Sequence, residues 1–146
     1  MVDFSSGSEE SSLLRRMREA VDDYIRGLDE IVTFVMLSTP DGLPVMTTLE
    51  AGTTINEFLS ASGSAISEIA HSYSEYAGSG RLKGVVISGE KGCTILRKLD
   101  DKLVLAIGFL SRDITRNMEI SADMQNMLSS IMGDEKEGGS PRISGD

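Results

Sequence analysis

Three connections in this chain are too short to join parallel neighbours, and together they confine it to an antiparallel sheet. A β-rich run from Ile31 to Ser38 passes through Thr39-Pro40-Asp41-Gly42 into a second run from Leu43 to Thr48. Proline fixes φ at an early turn position and glycine accepts φ > 0, so this segment reads as a hairpin. Further on, Leu82 to Ser88 leads through Gly89-Glu90-Lys91-Gly92 to Cys93–Lys98, and then through Leu99-Asp100-Asp101 to Lys102–Phe109. Parallel pairing would require a crossover of roughly a dozen residues or more, so these three runs form a meander.

Between hairpin and meander, Thr54 to Ala77 predicts a long helix. Ile55, Phe58, Leu59, Ser62, Ile66, Ile69 and Tyr73 recur at steps of three and four and share one face. Its flanks carry Ser60, Ala61, Gly63, Ser64, Ala65, Ser67, Ala70 and Ser74. Glycine and serine are weak helix formers, by up to ~1 kcal/mol relative to alanine, so something other than propensity favours them here. Close approach of a second helix is one reading, and a small-residue helix packed only on its own sheet is the other. Thr54 with Glu57 fits a capping box, and Gly78-Ser79-Gly80 fits a helix end.

A first helix is expected after a box formed by Ser6 and Glu9, with Leu14, Met17, Val21, Tyr24, Ile25 and Leu28 as its stripe and Gly27 near its end. A last helix, Ile114 to Met132, should turn Ile114, Met118, Met124 or Gln125, Leu128 and Ile131 inward. The fold class is therefore α+β, a five-stranded antiparallel sheet flanked by helices in the order αββαβββα around one core. Residues 8–132 make the domain. Residues 1–7 and 133–146 lack apolar periodicity and are expected to be a disordered N-terminus and a disordered acidic tail. The run Leu82–Ser88 holds one charged residue; at a sheet edge its free backbone groups would invite pairing with a copy of itself.

Several functional classes fall away. The formal charge of −9 includes −3 from residues 1–12 and −2 from residues 133–146, which leaves the folded part mildly acidic and a poor partner for nucleic acid. Arg15, Arg16 and Arg18 read as a solvated helix face balancing Glu9, Glu10, Asp22 and Asp23, against the alternative of an anionic-lipid site. Lone Cys93 excludes an internal disulfide, and with a single histidine no metal-ligand spacing arises. Met1–Ser12 has neither a basic n-region nor an apolar h-region, and no apolar run approaches the ~20 residues of a transmembrane helix, so a cytoplasmic location is expected.

Catalytic chemistry finds little support. His71 falls off the apolar stripe and reads as an exposed helix histidine, while Cys93, in a strand, reads as a packing residue. The acid pairs Asp22-Asp23, Asp29-Glu30 and Asp100-Asp101 lie on helix surfaces or turns, and adjacency does not make the shared cleft that a general acid and base need. Gly78-Ser79-Gly80 precedes a strand and does not open a helix, unlike a phosphate-binding loop. No catalytic residue, metal or cofactor is expected. Of eight methionines, Met118, Met124, Met127 and Met132 lie on the last helix, where they could fill core or line a partner groove.

Taken in order, Thr39-Pro40-Asp41-Gly42-Leu43-Pro44-Val45, the Ser- and Ala-rich helix after Glu57 and Gly89-Glu90-Lys91-Gly92 give the chain a resemblance to the Roadblock/LC7 family over roughly residues 13–132. The resemblance implies a homodimer, or a heterodimer with a paralogous subunit, in which long helices pack side by side and third strands pair into a ten-stranded sheet. It implies Phe58, Ser62, Ile66, Ile69, Tyr73, Val85, Val86 and Ile87 as dimer contacts. It also implies a non-enzymatic module that binds and regulates or scaffolds a Ras-like small GTPase. The chain departs from the family pattern after the fifth strand, where Ser111-Arg112-Asp113-Ile114-Thr115 replaces a loop often rich in Asp, Ala, Asn and Gly. The rival functions are a passive scaffold subunit and a small-molecule sensor, for which the sequence has no Trp and few aromatics to line a pocket.

Overall fold

Each of the short connections closes an antiparallel pair. In the computed structural model, which describes residues 8–136, the order is α1 (Ser8–Ile25), β1 (Val32–Ser38), β2 (Pro44–Thr47), α2 (Thr53–Tyr76), β3 (Val85–Ser88), β4 (Cys93–Leu99), β5 (Leu103–Phe109) and α3 (Ile114–Lys136). The expected αββαβββα arrangement is the one found. The sheet order is β2-β1-β5-β4-β3, antiparallel throughout. In the first turn Gly42 sits at φ 98° and donates to the Thr39 carbonyl at 3.0 Å. In the β4–β5 connection Asp100 and Asp101 take φ 51° and 62°, the two left-handed central positions of a primed turn closed by Lys102 N–H to the Leu99 carbonyl at 2.8 Å.

Strand alternation divides the sheet into two faces. Val35, Leu37, Ile95, Leu99, Leu105 and Ile107 meet Leu13, Met17 and Val21 of α1 and Ile120, Met124, Leu128 and Met132 of α3 in one buried cluster. Met36 and Leu96 point the other way, toward α2, and are buried as well. Tyr24 Oη donates to Asp123 Oδ2 at 3.3 Å and ties α1 to α3.

Several helix expectations shift. Leu13 and not Leu14 leads the α1 stripe, and the Ser6 part of the first capping box lies outside the described residues. On α3 the fully buried residues are Asn117, Ile120, Ser121, Met124, Leu128 and Met132; Ile114 is exposed, while Ile131 packs half-buried against the core. The phase was hidden because two of them are polar. Asn117 Nδ2 donates to the Ser111 carbonyl at 2.9 Å and to Cys93 Sγ at 3.2 Å, and Ser121 accepts from Arg97. Met124 takes the core and Gln125 turns to the β4 backbone, donating to the Lys98 carbonyl at 2.7 Å. Met118 and Met127 are half-buried against the core, so the four methionines of α3 all fill it in part or whole. α3 also runs through Gly133 to Lys136, about one turn further than its pattern predicts. The expectations for residues 1–7 and 137–146 lie outside the described residues.

Candidate functional site

α2 is built inside out relative to an ordinary surface helix. It opens at Gly52, with no side-chain cap, so the Thr54–Glu57 box does not form. It closes through Gly78 N–H to the Glu75 carbonyl at 3.1 Å and Ser79 N–H to the Ser74 carbonyl at 2.8 Å. The buried residues between are Ser60, Ser64 and Ser67. Ser60 Oγ donates to Ser38 Oγ at 2.7 Å and Ser64 Oγ to the Thr39 carbonyl at 2.8 Å. A Cβ at Gly63 would touch Leu96 at 3.7 Å, and one at Gly42 would lie 3.0 Å from Ala61 Cα. The small residues therefore let α2 lie close on its own sheet.

With small residues turned inward, the large ones are left outside. Phe58 is 66% exposed, Ile69 69%, Tyr73 76% and Tyr76 93%, and Ile55 and Ile66 are exposed as well. β3 borders them as an edge strand, paired with β4 on one side only. Its residues Val86 and Ile87 are exposed, and Val85 is half-buried. Ile66, Ile69, Ala70, Tyr73, Leu82 and Val85 line a shallow groove of about 500 Å³ between helix and edge, with Ser74, Ser79 and Gly84 at its margins. Contiguous exposed apolar surface of this kind makes the groove the candidate interaction site.

Of the residues singled out from sequence, Ile66, Ile69, Tyr73 and Val85 meet in this groove. Phe58 and half-buried Ser62 continue the stripe toward the start of α2. Ile87 shares the sheet face of Val85, whereas Val86 points to the other face by strand alternation. Tyr76 was missed although it lies one turn beyond Tyr73, a spacing that extends the stripe. Cys93 is buried, as its strand position implied. His71 is not the exposed residue expected: it is half-buried, with Nε2 3.5 Å from Glu75 and a buried Nδ1 that has no hydrogen-bond partner. Its position between the outward stripe and the sheet explains the difference. Arg97 was missed altogether; a charged residue in a strand gives no sign of burial, yet Arg97 is 8% exposed.

Among the described residues no group of three or more His, Cys, Asp or Glu is placed to hold a metal ion, and no helix is long and apolar enough to cross a membrane.

No protein-family model and no curated protein matches the chain. Solved structures do. An MglB with tetrameric arrangement superposes with a TM-score of 0.70 at 13% identity, over 92% of this chain and 99% of that one. The gliding protein MglB of Thermus thermophilus superposes at 0.67 and 15% identity, over 89% and 97%. A Roadblock/LC7 domain from Streptomyces avermitilis superposes at 0.63 and 16% identity, over 76% and 96%. The chain has the Roadblock/LC7 fold.

Proposed function

We propose that this protein is a non-enzymatic dimerisation module that binds and regulates a Ras-like small GTPase. The observation that carries the reading is the inversion of α2, whose sheet-facing serines leave Phe58, Ile69, Tyr73 and Tyr76 in water. Such a face beside an unpaired β3 edge suits a second copy of the same chain. Phe58, Ser62, Ile66, Ile69 and Tyr73 would pack helix to helix, and Val85, Val86 and Ile87 would join edge to edge. One structural neighbour is an MglB in a tetrameric arrangement, which supports assembly as a property open to this fold. The GTPase partner comes from the Roadblock/LC7 resemblance. The module would act by binding one conformation of the partner's switch loops more tightly than another, since a ligand moves an equilibrium only through differential affinity.

The groove also bears on the alternatives. A small-molecule sensor requires an apolar pocket with convergent polar groups, and this groove is shallow and almost wholly apolar. Sedimentation equilibrium tests the dimer: the wild type should give about twice the 15.7 kDa chain mass. Ser62→Arg should return the mass toward the monomer by forcing an unpaired charge into a desolvated contact. A wild-type monomer at micromolar concentration would refute the association. The regulatory half is read from nucleotide turnover by a candidate small GTPase, with and without the protein; unchanged turnover despite binding would leave the passive scaffold.

A further inference from the structure

Across Leu82 from the apolar groove, a second cleft of about 400 Å³ lies where α2, the segment leading into β3, the end of β4 and α3 come together. Five side chains able to carry positive charge line it: His71, Arg81, Lys83, Arg97 and Lys98. Two aspartates, Asp100 and Asp101 on the β4–β5 turn, also line it, and Glu75 and Glu68 lie beside its His71 and Lys98 at 3.5 and 3.9 Å. Among the lining side chains themselves, two arginines and two lysines face two aspartates, in a chain of net charge −9.

Among the described residues Arg81, Lys83 and Arg97 have no carboxylate within ion-pair distance, and Lys98 has only Glu68 at 3.9 Å. Arg97 is buried on neutral acceptors: Nε donates to Ser121 Oγ at 2.8 Å, Nη1 to the Lys83 carbonyl and to Gln125 Oε1 at 3.0 Å, and Nη2 to the Met118 carbonyl at 3.4 Å. These bonds satisfy most of its donors and none of its charge. Desolvation pulls the guanidinium pKa below its ordinary value, a sign of the cost of holding that charge without a counter-ion. His71, on the same wall, has Nε2 3.5 Å from Glu75 and keeps its buried Nδ1 without a partner.

We propose that this cleft binds a small phosphorylated ligand. Arg81, Lys83 and Lys98 reach its phosphate oxygens, and Arg97 supplies a fixed positive charge behind them. Several cations around one cleft call for a ligand with more than one negative charge, and arginine and lysine are the ordinary phosphate-binding side chains. The volume is near the lower end of small-ligand pockets, roughly 300–1,000 Å³, and suits a group from pyrophosphate to a mononucleotide. The acidic remainder of the molecule repels nucleic-acid polymers.

Calorimetric titration of the full-length protein with sodium pyrophosphate, at constant ionic strength, tests the site. The wild type should bind saturably with one ligand per chain. An Arg81→Ala, Lys83→Ala variant should bind at least roughly tenfold more weakly, with an unchanged circular dichroism spectrum and an unchanged sedimentation mass. The mass keeps this outcome separate from that of the proposed dimer. Tighter binding of ADP than of pyrophosphate would assign a nucleotide, and equal binding would assign the phosphate groups alone. If the variant does not fold, the imidazole proton resonances of His71 in the wild type provide the second reading and should shift in step with saturation. Absence of saturation, equal affinity in the folded variant, or unmoved His71 resonances would overturn the proposal.

Discussion

The buried serines of α2 differ in what they bond to, and that difference fixes their energetic roles. Ser60 shares a hydrogen bond with Ser38, so Ser60→Ala would leave a buried hydroxyl of β1 without that partner and should cost about 1 kcal/mol or more. Ser67 is buried to a similar degree, but its Oγ has no partner. Ser67→Ala removes an unsatisfied polar group and substitutes a better helix former, and should stabilise by a few tenths of a kcal/mol up to about 1 kcal/mol. Paired urea denaturations of the two variants check the opposite signs; destabilisation by Ser67→Ala would mean that its hydroxyl is bonded after all. The small size of both residues was legible in the sequence, along with their spacing. Which way they face was not, because apolar periodicity identifies a stripe without saying whether a sheet or a partner covers it.

At the scale of elements, strand order along the chain and the turns were readable because local chemistry decides them: Gly42 at φ 98° and the Asp100-Asp101 pair at positive φ are turn residues in their own right. Helix phase was less readable. α3 hides Asn117 and Ser121 on its inner face, where loop and strand atoms satisfy them, and those partners become neighbours only after folding. The α1–α3 contact offers a pH test of such a long-range pairing. Tyr24 is partly desolvated and lies beside Asp123, and both effects, the burial first, raise its phenol pKa above 10.0. The folded state therefore retains the proton more strongly than the unfolded state. The stabilisation linked to it is fully present below the unfolded pKa and is lost as pH rises through the higher folded value. The melting temperature of the wild type should fall more steeply above about pH 10 than that of Tyr24→Phe, which has no phenol proton to lose. Parallel alkaline profiles for the two proteins would show that Tyr24 is not coupled to Asp123 in solution.

For the whole molecule, burial is asymmetric. One sheet face is closed by α1 and α3 over a continuous core, while the other is closed by a helix whose outer side remains apolar, next to a strand with one free edge. A second chain on that surface would bind the folded state and not the unfolded one, and mass action then links stability to concentration. The wild-type melting temperature should rise as protein concentration is increased across the dimer dissociation range. Ile87→Lys places a charge on the exposed edge of β3, a common means by which natural sheets block edge pairing, and makes little change to the core because Ile87 is already exposed. That variant should sediment as a monomer, with a melting temperature independent of concentration and close to the dilute limit of the wild type. A variant that still dimerises would exclude the β3 edge from the contact and leave the α2 face as the candidate surface. A variant that loses its fold at every concentration would show that the edge matters within one chain and not between two.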